Sequence, residues 1–417
     1  MGAETMAGLG ARAKAASRVL ATASTGAKNH ALLTAADFLA DRSQRVLDAN
    51  QIDVAAATEA GVTATVVDRL RLTGSRIQAM AEGLRRVAAL ADPVGEVIRG
   101  WTRPNGLEIR QVRTPLGVVA IIYENRPNVT SDAAGLCLKS GNVAFLRGSS
   151  AALQSNRAVS SALREAYEKA GLPADALVLV EDTSYESARE FMQLDGYIDC
   201  LIPRGGPSLI AAIKEHATVP YVIDGDGNCH VYVDAAADLE MAARIVANAK
   251  TQRPSVCNAA ESLLVHASVA SDFLPGLARA LDGVELRGDA RTAAILGAGR
   301  VQPATDDDYG REFLDLILSV RVVDSLDAAI DHIRRYGSGH TEAIVTTDLD
   351  AARRFQHEVD AAAVVVNAST RFTDGEEFGF GAEIGISTQK LHARGPMGLR
   401  ELTTTRYLIE GSGQIRT

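Results

Sequence analysis

The chain has 417 residues, 47% of them hydrophobic, which is more than one core ordinarily serves, so two or three domains are expected. Its formal charge of -9 excludes a surface specialised for nucleic acid or anionic membrane, which needs clustered basic charge, and points to small-molecule chemistry. No apolar run approaches the roughly 20 residues of a membrane span, and the Ala-rich, charge-dotted N-terminus has no signal-peptide core, so a cytoplasmic protein is expected.

Leu32, Ala36, Leu39 and Val46, then Ile77, Met80, Leu84, Val87 and Ala91, recur at three- and four-residue steps and predict a helical lead-in without chemistry of its own. A turn at Arg103-Pro104-Asn105-Gly106 precedes a strand-like segment from Glu108 to Arg113, and Pro115-Leu116-Gly117 separates that segment from the apolar run Val118 to Ile122. Strand-like and helical stretches then alternate. Val143–Leu146, Leu177–Val180, Ile198–Ile202 and Val219–Ile223 read as strands, with Leu153–Lys169, Tyr185–Leu194 and Pro207–His216 as the helices between them. Such alternation implies βαβ units and a parallel sheet. A second block follows, with Leu316–Val323, Leu326–Tyr336, Ala343–Thr347, Leu349–Val359 and Ala362–Val366. The Gly-rich polar stretch from Ser369 to Pro396 is long enough to be a functional loop region.

Cys257 lies between the two blocks. A helix-like run from Asp238 to Lys250 ends just before it and strand-like Leu263-Leu264-Val265-His266 follows, so its thiol sits on a short connector where backbone amides surround whatever the sulfur attacks. Cys137, Cys200 and Cys229 lie in or beside apolar runs, where a cysteine acts as a small buried hydrophobe. There is no Cys-x-x-Cys pair and no His-x-x-x-His or His-Glu-x-x-His spacing, so neither a disulfide framework nor a metal is expected.

Open parallel sheets bind ligands at the carboxyl ends of their strands, which directs attention to the loops after Leu146, Val180 and Ile202. After Ile202 the chain reads Pro203-Arg204-Gly205-Gly206-Pro207-Ser208: two glycines permit close approach to a phosphate and Pro207 suits a first helical turn, although a plain βα turn has the same composition. After Leu146 it reads Arg147-Gly148-Ser149-Ser150. An acidic side chain there would favour NAD, whereas an arginine with two serines accepts a 2′-phosphate and leans toward NADP; an arginine on a solvated loop is the other reading. Asn125, in Tyr123-Glu124-Asn125-Arg126-Pro127-Asn128, is placed to donate its amide to an oxyanion, and a turn-forming Asn near Pro is equally ordinary. Arg126 and Arg371 are candidate clamps for a substrate carboxylate or phosphate.

Asn125 in its turn, Arg147 after a strand, the Gly205-Gly206 turn, Cys257 between two α/β blocks and the Gly-rich C-terminal segment together resemble the aldehyde dehydrogenase superfamily. Three segments are more specific: Tyr123–Thr130, Asn367–Gly375 and Ser387–Gly398 are similar to the γ-glutamyl phosphate reductase (glutamate-5-semialdehyde dehydrogenase) family within it, and the resemblance spans essentially the whole chain. It implies an α/β, aldehyde dehydrogenase-like fold: a Rossmann-like NADP-binding domain (residues 1–107 and 123–252), an α/β catalytic domain (253–385), and a small oligomerisation element with the C-terminal tail (108–122 and 386–417).

It also implies the NADPH-dependent reduction of L-glutamyl 5-phosphate to L-glutamate 5-semialdehyde and phosphate, a step of proline biosynthesis, through a Cys257 thioester with Asn125 stabilising the oxyanion. Arg147, Ser149, Ser150, Gly205, Gly206, Pro207 and Glu312 are implied cofactor contacts; Arg126, Ser369, Thr370 and Arg371 are implied contacts of the glutamyl group. Ser150 falls where NAD-preferring relatives often carry Glu. Asp224 falls where hydrolytic relatives carry a glutamate base and is one methylene shorter, so phosphate rather than water is the expected acceptor in the oxidative direction. The resemblance further implies a homo-oligomer and, because glutamyl phosphate is labile and cyclises, a transient association with glutamate 5-kinase. The alternatives are another phosphate- or CoA-dependent semialdehyde dehydrogenase of the superfamily, or a binding protein on the same fold in which Cys257 is structural.

Overall fold

The computed structural model describes residues 4–297 and 299–416; residues 1–3 of the first expected domain and Thr417 of the tail lie outside them. The chain divides into two units, one comprising Met1–Ile223, Phe380–Gly385 and Met397–Thr417, the other Asp224–Gly379 and Ile386–Pro396.

In the first unit the helices Thr25–Asp41 and Gly74–Ala89 begin on serine and threonine caps, with Ser24 accepting from the Ala27 amide and Thr73 from the Arg76 amide. The residues predicted from the helical repeat, Leu32, Ala36, Leu39, Ile77 and Leu84 among them, are buried, except Ala91, which is exposed and lies beyond the end of the helix. β1 (Val97–Thr102) and β2 (Glu108–Pro115) form an antiparallel hairpin, and β3 (Val118–Tyr123), β4 (Val143–Gly148), β5 (Leu177–Val180) and β6 (Cys200–Arg204) form a parallel sheet in the order β5-β4-β3-β6. Every residue of β3 and β4 is buried, as in a parallel sheet covered on both faces.

The second unit is built on a seven-stranded parallel sheet of β7 (Cys229–Val233), β8 (Ala260–His266), β9 (Glu285–Gly288), β10 (Gln302–Pro303), β11 (Ile317–Val323), β12 (Thr341–Val345) and β13 (Ala363–Val366), in the order β10-β9-β11-β8-β7-β12-β13. Successive residues of a strand serve opposite layers. Val231, Val233, Leu263 and Val265 pack with residues of the helices Leu239–Thr251 and Ala267–Ala280, while Tyr232 and Leu264 pack with Ile330, Ile333 and Phe355 of the helices Leu326–Tyr336 and Leu349–Glu358. The short strands β14 (Ile386–Ser387) and β15 (Gly395–Pro396) pair antiparallel in this unit, and β16 (Thr403–Glu410) returns to the first unit and pairs with β2.

The division differs from the one expected at residue 252. β7 lies between β8 and β12 and is buried throughout, so the chain from Asp224 onward cannot be parted from the second sheet without unpairing it. Within 108–122, only β2 joins the hairpin sheet; Val118–Tyr123 is the strand between β4 and β6. Residues 386–396, expected with the tail, belong to the second unit. β1 was not anticipated at all. Among the described residues, no helix is long and apolar enough to cross a membrane.

Candidate active site

Cys257 occupies the connector between the helix Leu239–Thr251 and β8. The helix starts on the Asp238 cap, whose carboxylate accepts from the Met241 amide at 2.9 Å, and ends just before Pro254, where α geometry is disfavoured. Both ends of the connector are pinned by one ion pair. Lys250 Nζ lies 2.7 Å from Glu261 Oε2, both side chains being fully buried, and Glu261 Oε1 accepts from the Leu314 amide at 3.1 Å. Burial pushes the Glu261 carboxyl up to about 7 against the pull of Lys250, and burial draws the Lys250 ammonium down.

A second chain segment supports the connector from beneath. Gly227 donates its amide to Glu312 Oε1 at 2.8 Å and approaches the Cys257 backbone so closely that a Cβ on Gly227 would stand 1.6 Å from the Cys257 carbonyl oxygen. No residue with a side chain fits there. The Cys229 thiol donates to that same carbonyl at 3.2 Å. A third segment flanks it: Asn258 Nδ2 donates to the Thr373 carbonyl at 2.9 Å, Thr370 Oγ1 donates to the Asn258 carbonyl at 2.7 Å, and Arg371 Nε donates to Gln252 Oε1 at 2.8 Å. Ser369 caps this turn by accepting from the Arg371 amide at 3.3 Å.

Cys257 is half-buried whereas the other three cysteines are buried. Burial pushes the Cys200 thiol up to about 12 and holds the Cys137 and Cys229 thiols high as well, so none of the three presents a thiolate near neutral pH. Asp224 is tied to β14: its Oδ1 accepts from the Ile386 amide at 2.7 Å, and the Gly225 amide donates to the Ile386 carbonyl at 3.0 Å.

In the first unit, Asn125 follows β3 in the left-handed region, φ 46°, which asparagine tolerates. Ser149 Oγ donates to Asn125 Oδ1 at 3.1 Å, which leaves the amide nitrogen of Asn125 as a donor. Arg147, at the end of β4, is 8% exposed: it donates from Nη2 to the Ser184 carbonyl at 2.6 Å, and its Nε is buried without a hydrogen-bond partner. That burial sets aside the solvated-loop reading of this arginine and lowers its pKa. Ser150 opens the short helix Ser150–Ala152. At the end of β6, the Gly206 amide donates to Glu124 Oε2 at 3.2 Å, and Pro207 takes the first position of the helix Pro207–His216. A Cβ on Gly205 would meet the Glu124 carboxylate at 2.7 Å. Arg126 is exposed.

The aldehyde dehydrogenase family model matches residues 2–306. The γ-glutamyl phosphate reductase of Heliobacterium modesticaldum is 57% identical over 409 residues, covering 98% of each chain, and that of Moorella thermoacetica 58% over 409 residues, covering 98% of this chain and 97% of its own. The crystal structure of the γ-glutamyl phosphate reductase of Thermotoga maritima superposes with a TM-score of 0.96 at 49% identity, covering 98% of this chain and 99% of that one. The chain belongs to the γ-glutamyl phosphate reductases of the aldehyde dehydrogenase family.

The family uses a nicotinamide cofactor, and this chain offers a chemically suitable place for one at the carboxyl ends of β4 and β6: a buried guanidinium nitrogen lacking a partner beside two serine hydroxyls, and a glycine turn at a helix start. Of the site residues expected from sequence, Ser369, Thr370 and Arg371 are brought to the Cys257 connector, and Glu312 reaches it through Gly227. Asn125, Arg126, Arg147, Ser149, Ser150, Gly205, Gly206 and Pro207 belong to the first unit. Sequence reasoning missed Gly227, Lys250, Gln252, Asn258 and Glu261. The last four stand within a dozen positions of Cys257, but polar identity alone gives no sign of a partner far along the chain.

Proposed function

We propose that the protein reduces L-glutamyl 5-phosphate to L-glutamate 5-semialdehyde and phosphate, with Cys257 as nucleophile and NADPH as reductant. The observation that carries the mechanism is the connector itself: one half-exposed thiol whose backbone is held by Gly227, Cys229 and Asn258 while the remaining cysteines are buried and protonated. The Cys257 thiolate attacks the acyl carbon, the tetrahedral oxyanion is met by a donor such as the Asn125 amide, and the carbon–oxygen bond to phosphate breaks to leave a thioester. NADPH, when bound, supplies the hydride that takes this thioester to the aldehyde. Arg147, Ser149 and Ser150 would hold the 2′-phosphate and Gly205, Gly206 and Pro207 the pyrophosphate, with Glu312 toward the nicotinamide end. Arg126, Ser369, Thr370 and Arg371 would hold the glutamyl group.

Asp224, engaged by the Ile386 amide, is a poor base for water, which favours phosphate as acceptor in the oxidative direction. The reading extends to a homo-oligomer. Trp101, Ile109 and Ile409 pair across the β1-β2-β16 sheet, with Tyr407 on the same face and in edge-to-face contact with Trp101, and Trp101, Tyr407 and Ile409 are exposed. It also places the reaction in the cytoplasm, with a transient association with glutamate 5-kinase that shortens the life of a labile substrate outside an active site.

The test is reduction of NADP⁺ by the purified protein with pyrroline-5-carboxylate, the cyclic partner of glutamate semialdehyde, with and without phosphate, for wild type and Cys257→Ala. Phosphate-dependent turnover that vanishes in the variant is expected. Turnover at the same rate without phosphate would instead mark a hydrolytic dehydrogenase, and activity surviving in the variant would remove Cys257 from the mechanism.

A further inference from the structure

Two guanidinium groups stand together at the Cys257 connector with no carboxylate pairing either. Arg371 is half-buried, and its Nε rests on Gln252, the neighbour of Arg253. Arg253 itself is exposed on the connector, four positions before the nucleophile. Neither arginine forms an ion pair among the described residues. The chain is not short of carboxylates: acidic residues outnumber basic ones 52 to 43, and Arg113, Arg287 and Arg354 each pair with at least one.

The two like charges also act on each other. Burial is the main influence lowering the Arg371 pKa and Arg253 adds to it, while Asp374, Cys257 and Cys229 oppose the change. Arg371 therefore feels both Arg253 and the Cys257 sulfur. Its backbone is fixed at this spot, because Ser369 caps its turn and Asn258 donates to the carbonyls of Arg371 and Thr373 at 3.4 and 2.9 Å. Two cations on one connector, Arg371 anchored through its Nε to Gln252 and Arg253 exposed next to Gln252 in the chain, form beside a nucleophile an incomplete charge arrangement that a compact dianion completes. Phosphate suits it: guanidinium groups bind its oxygens through paired, charge-assisted hydrogen bonds.

We propose that Arg253 and Arg371 form the subsite for the phosphate group of the substrate, with Arg253 selecting phosphate over water or a thiol as the acceptor in the oxidative direction. The proposal rests on the acyl-phosphate reading above, adds Arg253 to it and moves Arg371 from the glutamyl contacts to the phosphate. In the reductive direction the sulfur–carbon bond forms, the bond from that carbon to the phosphate oxygen breaks, and the electron pair leaves with inorganic phosphate; no redox change accompanies the step. Arg371 and Arg253 bind that phosphate before and after cleavage, so they lower the barrier to expulsion and hold the same ion for the return reaction.

The experiment uses inorganic phosphate as the probe and the full-length protein without substrate or cofactor. Alkylation of Cys257 by iodoacetamide is followed by mass spectrometry as phosphate is raised at constant ionic strength, for wild type, Arg253→Gln, Arg253→Lys and, as a control away from the connector, Arg244→Gln. Phosphate should protect the wild type and Arg244→Gln alike. Arg253→Gln should need at least about tenfold more phosphate for the same protection, and Arg253→Lys an intermediate amount, since an ammonium offers a point charge without the fork. In turnover, the KM for phosphate should rise by a similar factor with the KM for NADP⁺ unchanged. Protection of Arg253→Gln at the wild-type phosphate concentration, or equal protection of the wild type by chloride, would overturn the proposal. If the protein fails to turn over pyrroline-5-carboxylate, the substrate reading falls while the alkylation result still decides the subsite.

Discussion

Lys250→Met removes the cation from a pair that closes both ends of the Cys257 connector. At 2.7 Å between fully buried partners, the attraction is about 6 kcal/mol for an effective dielectric constant of ~20. Stripping water from the two ions costs several kcal/mol each, so the intact pair contributes little net stability. Removing one member is another matter. Glu261 is then left with the Leu314 amide at 3.1 Å, and an uncompensated buried charge of this kind costs about 3–5 kcal/mol.

Glu261 can escape that cost by taking up a proton, because burial already pushes its carboxyl up to about 7 from an ordinary 4.5. A carboxyl whose native value lies above its unfolded one contributes stability that is fully present below the unfolded value and is lost as pH rises through the native one. Loss of Lys250 moves the native value further up. The deficit of the variant should therefore be smaller at pH 6 than at pH 8, where it should reach about 3–5 kcal/mol. Urea unfolding at the two pH values and at fixed protein concentration measures this. Lys250→Met combined with Glu261→Leu should recover most of the loss, since an apolar pair often replaces a buried ion pair without penalty. A deficit below about 1 kcal/mol at pH 8, or one that grows from pH 8 to pH 6, would refute the reasoning.

Gly227→Ala places a methyl group 1.6 Å from the Cys257 carbonyl oxygen, so the connector must shift; kcat should fall by about 10²-fold, read in steady-state kinetics alongside a melting curve that stays cooperative. Ser150→Glu puts a carboxylate where the 2′-phosphate is proposed to sit, and the ratio of kcat/KM for NADPH to that for NADH should drop by at least about tenfold. At pH 8 iodoacetamide should modify Cys257 alone: Cys200 is pushed up to about 12 and the Cys137 and Cys229 thiols are also raised, so their thiolate fractions appear only as pH climbs well beyond that point. Peptide mass spectrometry of the alkylated protein checks this, and labelling of Cys229 in the native state would contradict it.

The alternating blocks were legible because parallel strands buried on both faces read as short apolar runs, and Val143–Leu146 and Leu177–Val180 do so plainly. The boundary at Ile223 was not legible. Cys229–Val233 has the same apolar character as the strands before it, and only pairing with β8 and β12 assigns it to the second sheet. β1 escaped notice because its Val97, Ile98 and Trp101 are exposed, so no alternation of buried and solvated residues marks it. At the site, Cys257 could be singled out by the flanking elements, whereas Gly227 carries its role in a contact 30 positions away that has no local signature.

The rule that ligands gather at the carboxyl ends of parallel strands serves the first unit, where Asn125 and Gly205 follow β3 and β6 and Arg147 lies at the end of β4. The nucleophile does not obey it. Cys257 precedes β8 and Gly227 precedes β7, so both lie at the amino ends of neighbouring strands of the second sheet. Reaching that end is difficult for a segment that leaves β13 at its carboxyl end. The chain manages it by turning at Asn367, φ 57°, whose side chain exchanges two 2.9 Å hydrogen bonds with the Thr346 backbone and so replaces a further rung of the β12–β13 ladder. From there Ser369 to Thr373 runs back to Asn258 and Gln252. The Asn367–Gly375 segment thus has a mechanical role: it carries Arg371 from the carboxyl end of the sheet to the nucleophile.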